Sequence, residues 1–98
     1  MDEMMGQIDE PLTLERDTVL SGDVSGQVTV RAGVSLELYG RVVSDLVVEP
    51  GGAAVVHGVV TGAVLNQGAY VRVLGSVGRI SDPGGQPTVV APHAVVGP

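Results

Sequence analysis

The chain contains no cysteine, tryptophan or phenylalanine, and only two tyrosines among its 98 residues. Without cysteine it has neither a disulfide framework nor thiolate chemistry, a composition that fits a reducing compartment. A compact domain normally fills its core with several aromatic rings, whereas here only Val, Leu and Ala are abundant enough to do so. The composition therefore predicts a thin core and an elongated fold.

Basic residues are also scarce. Five Lys and Arg residues stand against eleven Asp and Glu residues, for a formal net charge of −6. This balance argues against nucleic-acid binding, which rewards clustered cations, and suits solubility or a basic partner. The first residues, "MDEMMGQIDEPL", lack the basic and apolar regions of a signal peptide, and no apolar run is long enough to span a bilayer. We expect a cytoplasmic protein, and the sequence does not indicate membrane association.

Residues that could carry catalysis or bind a metal are few. His57 and His93 are the only histidines, and a zinc site needs three or four ligands. The stretches "GDVSG" and "DPGGQP" lack the Lys and the helix start of a phosphate-binding loop. Asn66 falls on an inward position, where we expect its amide to bond neighbouring backbone. We therefore expect no enzymatic activity, no cofactor and no metal.

Glycines recur at a fixed interval. Gly22, Gly40, Gly58 and Gly75 are 18, 18 and 17 residues apart. From Asp23 to Glu49, even positions are apolar or small while odd positions hold the charges, the alternation of strands with one buried face. The alternation outlasts an ordinary strand of about five or six residues, so the chain must bend while it keeps one face inward. The pattern predicts an all-β, single-stranded triangular β-helix, a β-solenoid of about 18 residues per turn.

The repeat also predicts the domain organisation. Residues 1–11 form a flexible acidic segment, residues 12–80 form a core of about four turns, and residues 81–98 form a Pro- and Gly-rich cap or tail. A right-handed solenoid is favoured. A left-handed β-helix remains the alternative, because a six-residue spacing also runs from Val24 to Val60.

The segments "GDVSGQVTV", "GRVVSDLVVEPGG" and "GVVTGAVLNQGA" resemble the repeat of bactofilins, bacterial cytoskeletal proteins that form polymers. The resemblance covers roughly residues 17–80. It implies a right-handed triangular β-helix, end-to-end polymerisation without nucleotide, and scaffolding of membrane-associated or cell-shape machinery. About four turns is short for that family, and the acidic N-terminal segment differs from a membrane-targeting peptide.

Apolar side chains also fall on outward positions of neighbouring turns. A contiguous exposed apolar patch usually marks an interface, unless the C-terminal tail folds over it. Two functions are open: a scaffold that associates with itself through its ends or this face, and a small acidic module that occludes another protein, as an immunity protein or antitoxin does. The predicted interface residues are Tyr39, Val43, Val47, Val55, His57, Val59, Leu65 and Leu74.

Overall fold

The structure, a computed structural model, describes residues 2–81, 89–92 and 94–96. These residues form short β-strands and no helix, as the alternating pattern predicts. The strands are β1 (Asp2–Met4), β2 (Gln7–Ile8), β3 (Leu12–Leu14), β4 (Thr18–Leu20), β5 (Asp23–Val24), β6 (Val28–Val30), β7 (Ser35–Leu38), β8 (Arg41–Val42), β9 (Leu46–Val48), β10 (Ala53–Val56), β11 (Val59–Asn66), β12 (Tyr70–Val73), β13 (Ser76–Ser81), β14 (Val89–Val90) and β15 (Val95–Val96).

The strands stack in three parallel columns, which we name faces A, B and C. Face A contains β1, β4, β7, β10, β12 and β14. Face B contains β2, β5, β8, the first residues of β11 and β13, and β15. Face C contains β3, β6, β9 and the last residues of β11 and β13. The chain is thus a β-solenoid of about five turns, about 18 residues apart, which confirms the predicted fold class; its right-handed sense stays a prediction.

The strand pairing extends beyond residues 12–80 in both directions. Upstream, β1 and β2 pair with β4 and β5, so residues assigned to an N-terminal segment form part of the first turn. This turn is 16 residues long, since Asp2 pairs with Thr18, and the 18-residue spacing therefore does not reveal it. Downstream, β14 and β15 begin a further turn. The solenoid therefore has more turns than the four expected.

The core consists of side chains stacked in columns along the solenoid axis. On face B, Val24, Val42 and Val60 are in register and at most 1% exposed. On face C, Val28, Leu46 and Val64 form an equivalent column. Burying a Val or Leu side chain contributes about 1.5–3 kcal/mol. Because each turn covers only its neighbours, this burial exists only in the stack.

The glycine repeat lies where face A leads into face B, a bend that we name the A/B corner. A Cβ atom built on Gly40 would overlap the carbonyl oxygen of Gly22, and one on Gly58 would overlap that of Gly40. Successive turns therefore approach too closely here for any side chain. The 18-residue glycine series is a steric requirement of stacking.

The bend from face C to face A is a tight turn. In Glu49–Gly52 the Gly52 N–H donates to the Glu49 carbonyl oxygen at 3.0 Å. Gly51 has φ 85° and follows Pro50, which is the residue pattern of a type II turn. The stretch Arg31–Val34 closes with the same hydrogen bond at 3.1 Å.

Asn66 closes the next copy of this bend with its side chain. Its Oδ1 accepts hydrogen bonds from the N–H groups of Gly68 at 3.2 Å and Ala69 at 2.7 Å. The residue is fully buried, in register with Val48. The expectation that this amide bonds neighbouring backbone is confirmed.

Candidate interaction surfaces on the side and at the ends of the solenoid

Tyr39 and His57 stack on successive turns at the A/B corner. Their ring centroids are 4.4 Å apart and their planes differ by 1°. The backbone N–H groups of Tyr39, His57 and Leu74 each donate to the last residue of the face A strand one turn below, so the three side chains share a column. This column was predicted from the repeat. Both rings are exposed. The column therefore presents an aromatic surface to solvent.

Valines on either side of this column widen the apolar surface. Val43 is 48% exposed and Val59 39% exposed on face B, while Val55 is half-buried on face A. Arg41 lies one turn below Val59 in the same column of face B and forms an exposed ion pair with Asp23 at 3.7 Å. Six of the eight predicted residues therefore lie around one corner. We name them the corner patch: Tyr39, Val43, Val55, His57, Val59 and Leu74.

The other two predicted residues, Val47 and Leu65, lie on face C, away from the corner patch. Val47 is only 8% exposed, so its expected exposure is wrong. It follows the outward alternation, but it lies in register between Thr29 and Leu65, both half-buried. A residue enclosed by large neighbours in its column loses contact with solvent even when it points outward.

The C-terminal end of the stack exposes side chains of the core columns. Val90 is in register with Val73, and Val96 with Val77. Val73 and Val77 are 0% and 2% exposed, whereas Val90 and Val96 are 40% and 41% exposed. These residues were not among the predicted surface residues. The two Val-Val pairs, at 89–90 and 95–96, were the available signal, because they have the spacing of two successive strands.

The N-terminal end of the stack also leaves side chains of the core columns partly exposed. Ile8 and Leu12 are half-buried, although Val24 and Val28, in register with them, are fully buried. The strands β1, β2 and β3 are edge strands in the described part of the chain. Beside Ile8 lies a hollow of about 310 Å³, which is also lined by Gln7, Asp9 and Glu10. This end therefore combines apolar side chains with carboxylates.

Charge is graded along the solenoid axis. Residues 2–16 contain five acidic residues and one Arg, and residues 53–69 contain no Asp, Glu, Lys or Arg. Residues 70–81 contain Arg72 and Arg79 and no acid, and Asp82 follows. Both arginines are exposed, and neither forms an ion pair with a described residue. The stack is thus acidic over residues 2–16 and basic over residues 70–81.

Metal-binding side chains are not clustered in the described residues. No three His, Cys, Asp or Glu side chains among them lie close enough together to hold a metal ion. His57 stacks on Tyr39, and His93 lies outside the described residues. The described part of the chain also has no helix of the length and hydropathy needed to cross a membrane.

Comparison with protein-family models, curated proteins and solved structures finds no match for this chain. The resemblance to bactofilins therefore rests on the residues of the repeat.

Proposed function

We propose that this protein is a non-enzymatic scaffold subunit that associates with itself end to end, through the terminal turns of its solenoid. The exposure of Val90 and Val96 carries the proposal. Val90 continues the inward column of face A that begins at Leu20, and Val96 continues the inward column of face B that begins at Val24. All the residues of these columns from Leu20 and Val24 up to the turn before Val90 and Val96 are nearly or fully buried. Another copy stacked on this end would bury both side chains as the middle turns bury theirs.

Unpaired backbone N–H and C=O groups at the ends of the stack also favour end-to-end association. A strand at the edge of a sheet presents N–H and C=O groups that readily pair with another chain. Among the described residues, β14 ends face A and β15 ends face B, while β1 and β2 lie at the opposite ends of these faces. Adding a strand from another copy supplies hydrogen bonds and buried apolar surface together.

The bactofilin-like repeat supports the same function, because that family consists of scaffold proteins that polymerise end to end. A bactofilin-like role would place the polymer in the cytoplasm of a bacterium, and needs neither nucleotide nor cofactor. The acidic first turn does not argue for a membrane surface, since cytoplasmic leaflets are themselves anionic.

The second function, occlusion of a basic protein, has weaker support. An occluding surface would gather its carboxylates on one side of the solenoid, as a patch complementary to the partner. Here exposed or half-buried acids lie on all three faces: Glu37 on face A, Asp23 on face B and Glu49 beside face C. The gradient along the axis favours contact through the ends over contact through one side.

The test is the solution mass of the 98-residue chain, measured by size-exclusion chromatography with light scattering over a concentration series. We expect the mass to rise with concentration as a series of oligomers. Val96→Asp would place a charge at the end contact and stop growth, while its fold is retained because Val96 is 41% exposed in the single chain.

The matched control is Val43→Asp, which introduces the same charge at a valine that is 48% exposed on the side. This variant should assemble like the unmodified chain. A chain that remains monomeric at every concentration would contradict the proposal. Loss of assembly in Val43→Asp but not in Val96→Asp would move the contact to the corner patch.

A further inference from the structure

We infer that two copies of this chain associate side by side and antiparallel through face A, with β10 of one copy facing β10 of the other. This contact goes beyond the proposed end-to-end association, because it uses the side of the solenoid and needs no terminal turn. It is isologous. A two-fold axis between the two faces, along the strand direction, sets β7 of each copy against β12 of the other, and β4 against β14.

One outward column of face A carries the inference. Its members are in register on five successive strands: Val19, Glu37, Val55, Arg72 and Val89. Valine stands at the centre and at both ends of this column, and the two charged residues between the valines have opposite signs. Set against its own reverse, the column therefore places valine against valine and each charge against its opposite.

The two charges have no ionic partner within one copy. Glu37 is half-buried and Arg72 is exposed, and neither forms an ion pair with a described residue. Val55 lies between them in register, so their strands are two spacings apart, about 10 Å. In the antiparallel pair, Glu37 of each copy faces Arg72 of the other, and two ion pairs form across the contact. Complementary charges placed in this way fix the register of an interface.

The same charges select the antiparallel orientation. A two-fold axis along the solenoid axis would make the copies parallel, and Glu37 would then face Glu37, and Arg72 would face Arg72. Like charges opposed across a contact weaken association. The charge gradient along the solenoid favours the same choice, because parallel copies would set the acidic residues 2–16 beside acidic residues and the basic residues 70–81 beside basic ones.

The centre of the contact is free of charge. Residues 53–69 contain no Asp, Glu, Lys or Arg. On β10 the outward residues Ala53 and Val55 are half-buried and small, which lets two faces approach to the spacing of packed sheets, about 10 Å. Tyr39 and Tyr70, which are 52% and 54% exposed, lie one strand level to either side of β10. A second copy would cover rings that a single chain leaves in solvent.

The experiment starts from Val96→Asp, which blocks end-to-end growth and leaves face A unchanged. In a concentration series followed by light scattering, this variant should pass from monomer to dimer and no further. If it stays monomeric up to its solubility limit while the unmodified chain grows, the side contact is overturned and the end contact stands. If the unmodified chain also stops at the dimer, the proposed function fails and the side contact stands.

Charge variants in this background test the pairing. Glu37→Arg and Arg72→Glu each oppose like charges in both ion pairs and should raise the dissociation constant of the dimer at least about tenfold, and the double exchange should restore it. Arg79→Glu changes an exposed arginine on face C, and this matched control should dimerise like its parent. Far-UV circular dichroism of each variant must first show an unchanged β-signal. Single variants that dimerise like the parent would overturn the charge pairing.

Cross-linking tests the orientation directly, since the chain has no cysteine of its own. Ser35→Cys and Tyr70→Cys, also made in the Val96→Asp background, change exposed residues in register with Ala53, one level to either side. In the antiparallel pair Ser35 faces Tyr70 of the other copy, so a short bis-maleimide should join the two variants when they are mixed and should join neither to itself. Mass spectrometry distinguishes the products. Cross-links only between like variants would overturn the antiparallel orientation.

Discussion

The middle turns and the terminal turns of this solenoid contain the same kind of residue in the same columns, yet the environments differ. Val60 and Val96 both point inward on face B, but Val60 is 1% exposed and Val96 is 41% exposed. The difference is the turn above, which is present for Val60 and absent among the described residues for Val96. Burial in this fold is therefore a property of the stack and not of the individual turn.

The largest expected effect comes from a charge in the middle of the stack. Leu46 is fully buried between Val28 and Val64. Leu46→Asp removes its packing and buries an unpaired carboxylate, at a cost of about 5 kcal/mol or more, which is comparable to the whole stability of a small domain. We expect the β-signal in circular dichroism to be lost. Val43→Asp, an exposed control, should melt normally; a folded Leu46→Asp variant would show that the inward register is wrong.

Glycine substitutions at two bends should differ in size. Gly40→Ala forces a methyl group onto the carbonyl oxygen of Gly22, and should destabilise by about 3 kcal/mol or more because two turns must separate. Gly33→Ala meets open space, and only its φ of 78° is unfavourable, which costs about 1–2 kcal/mol. Urea unfolding of both variants measures which substitution lowers the free energy of unfolding more. Equal losses would show that the A/B corner relaxes easily.

The buried amide of Asn66 offers a test within one column. Asn66→Val leaves the N–H groups of Gly68 and Ala69 without the Oδ1 acceptor, and should destabilise by about 1–3 kcal/mol. This would occur even though Val48 is the residue in register one turn earlier. Gln67→Val, at the exposed neighbour, is the control for a change of β-propensity. Unfolding by urea, with both variants matched in concentration, gives the difference; a stabilised Asn66→Val would mean that the backbone closes this turn without the amide.

The smallest expected effect is the loss of stability when one substitution is made in a middle turn and again at the end of the stack. Val60→Thr places a hydroxyl in a closed part of the face B column and should lower the free energy of unfolding by about 1–2 kcal/mol. Val96→Thr makes the same change at the open end and should remain within about 0.5 kcal/mol in the monomer. The two melting curves should be recorded at the lowest usable concentration and again where the chain assembles. A cost at Val96 that appears only on assembly would directly show that another copy closes the column.

Much of this organisation was predictable because it repeats. The spacing of Gly22, Gly40 and Gly58 indicated the turn length, and the stacking of Tyr39 on His57 followed from that spacing. The strands β1 and β2 of the first turn were not predicted as part of the stack, because the 16-residue length of this turn differs from the period. Val47 was assigned to an exposed surface because alternation reports only the direction of a side chain. Its burial depends on Thr29 and Leu65, which lie 18 residues away on either side.

By itself the sequence determined the fold class, the approximate length of a turn and which side chains point inward, since these follow from local alternation and from the spacing of residues that bend the chain. The tertiary structure alone decided which described strands lie at the edges of the stack and which predicted surface residues share a corner. It also showed that the charge gradient runs from one end of the stack to the other. These features depend on contacts between residues a full turn or more apart. A pattern along the chain does not report whether a given side chain is covered by an adjacent turn.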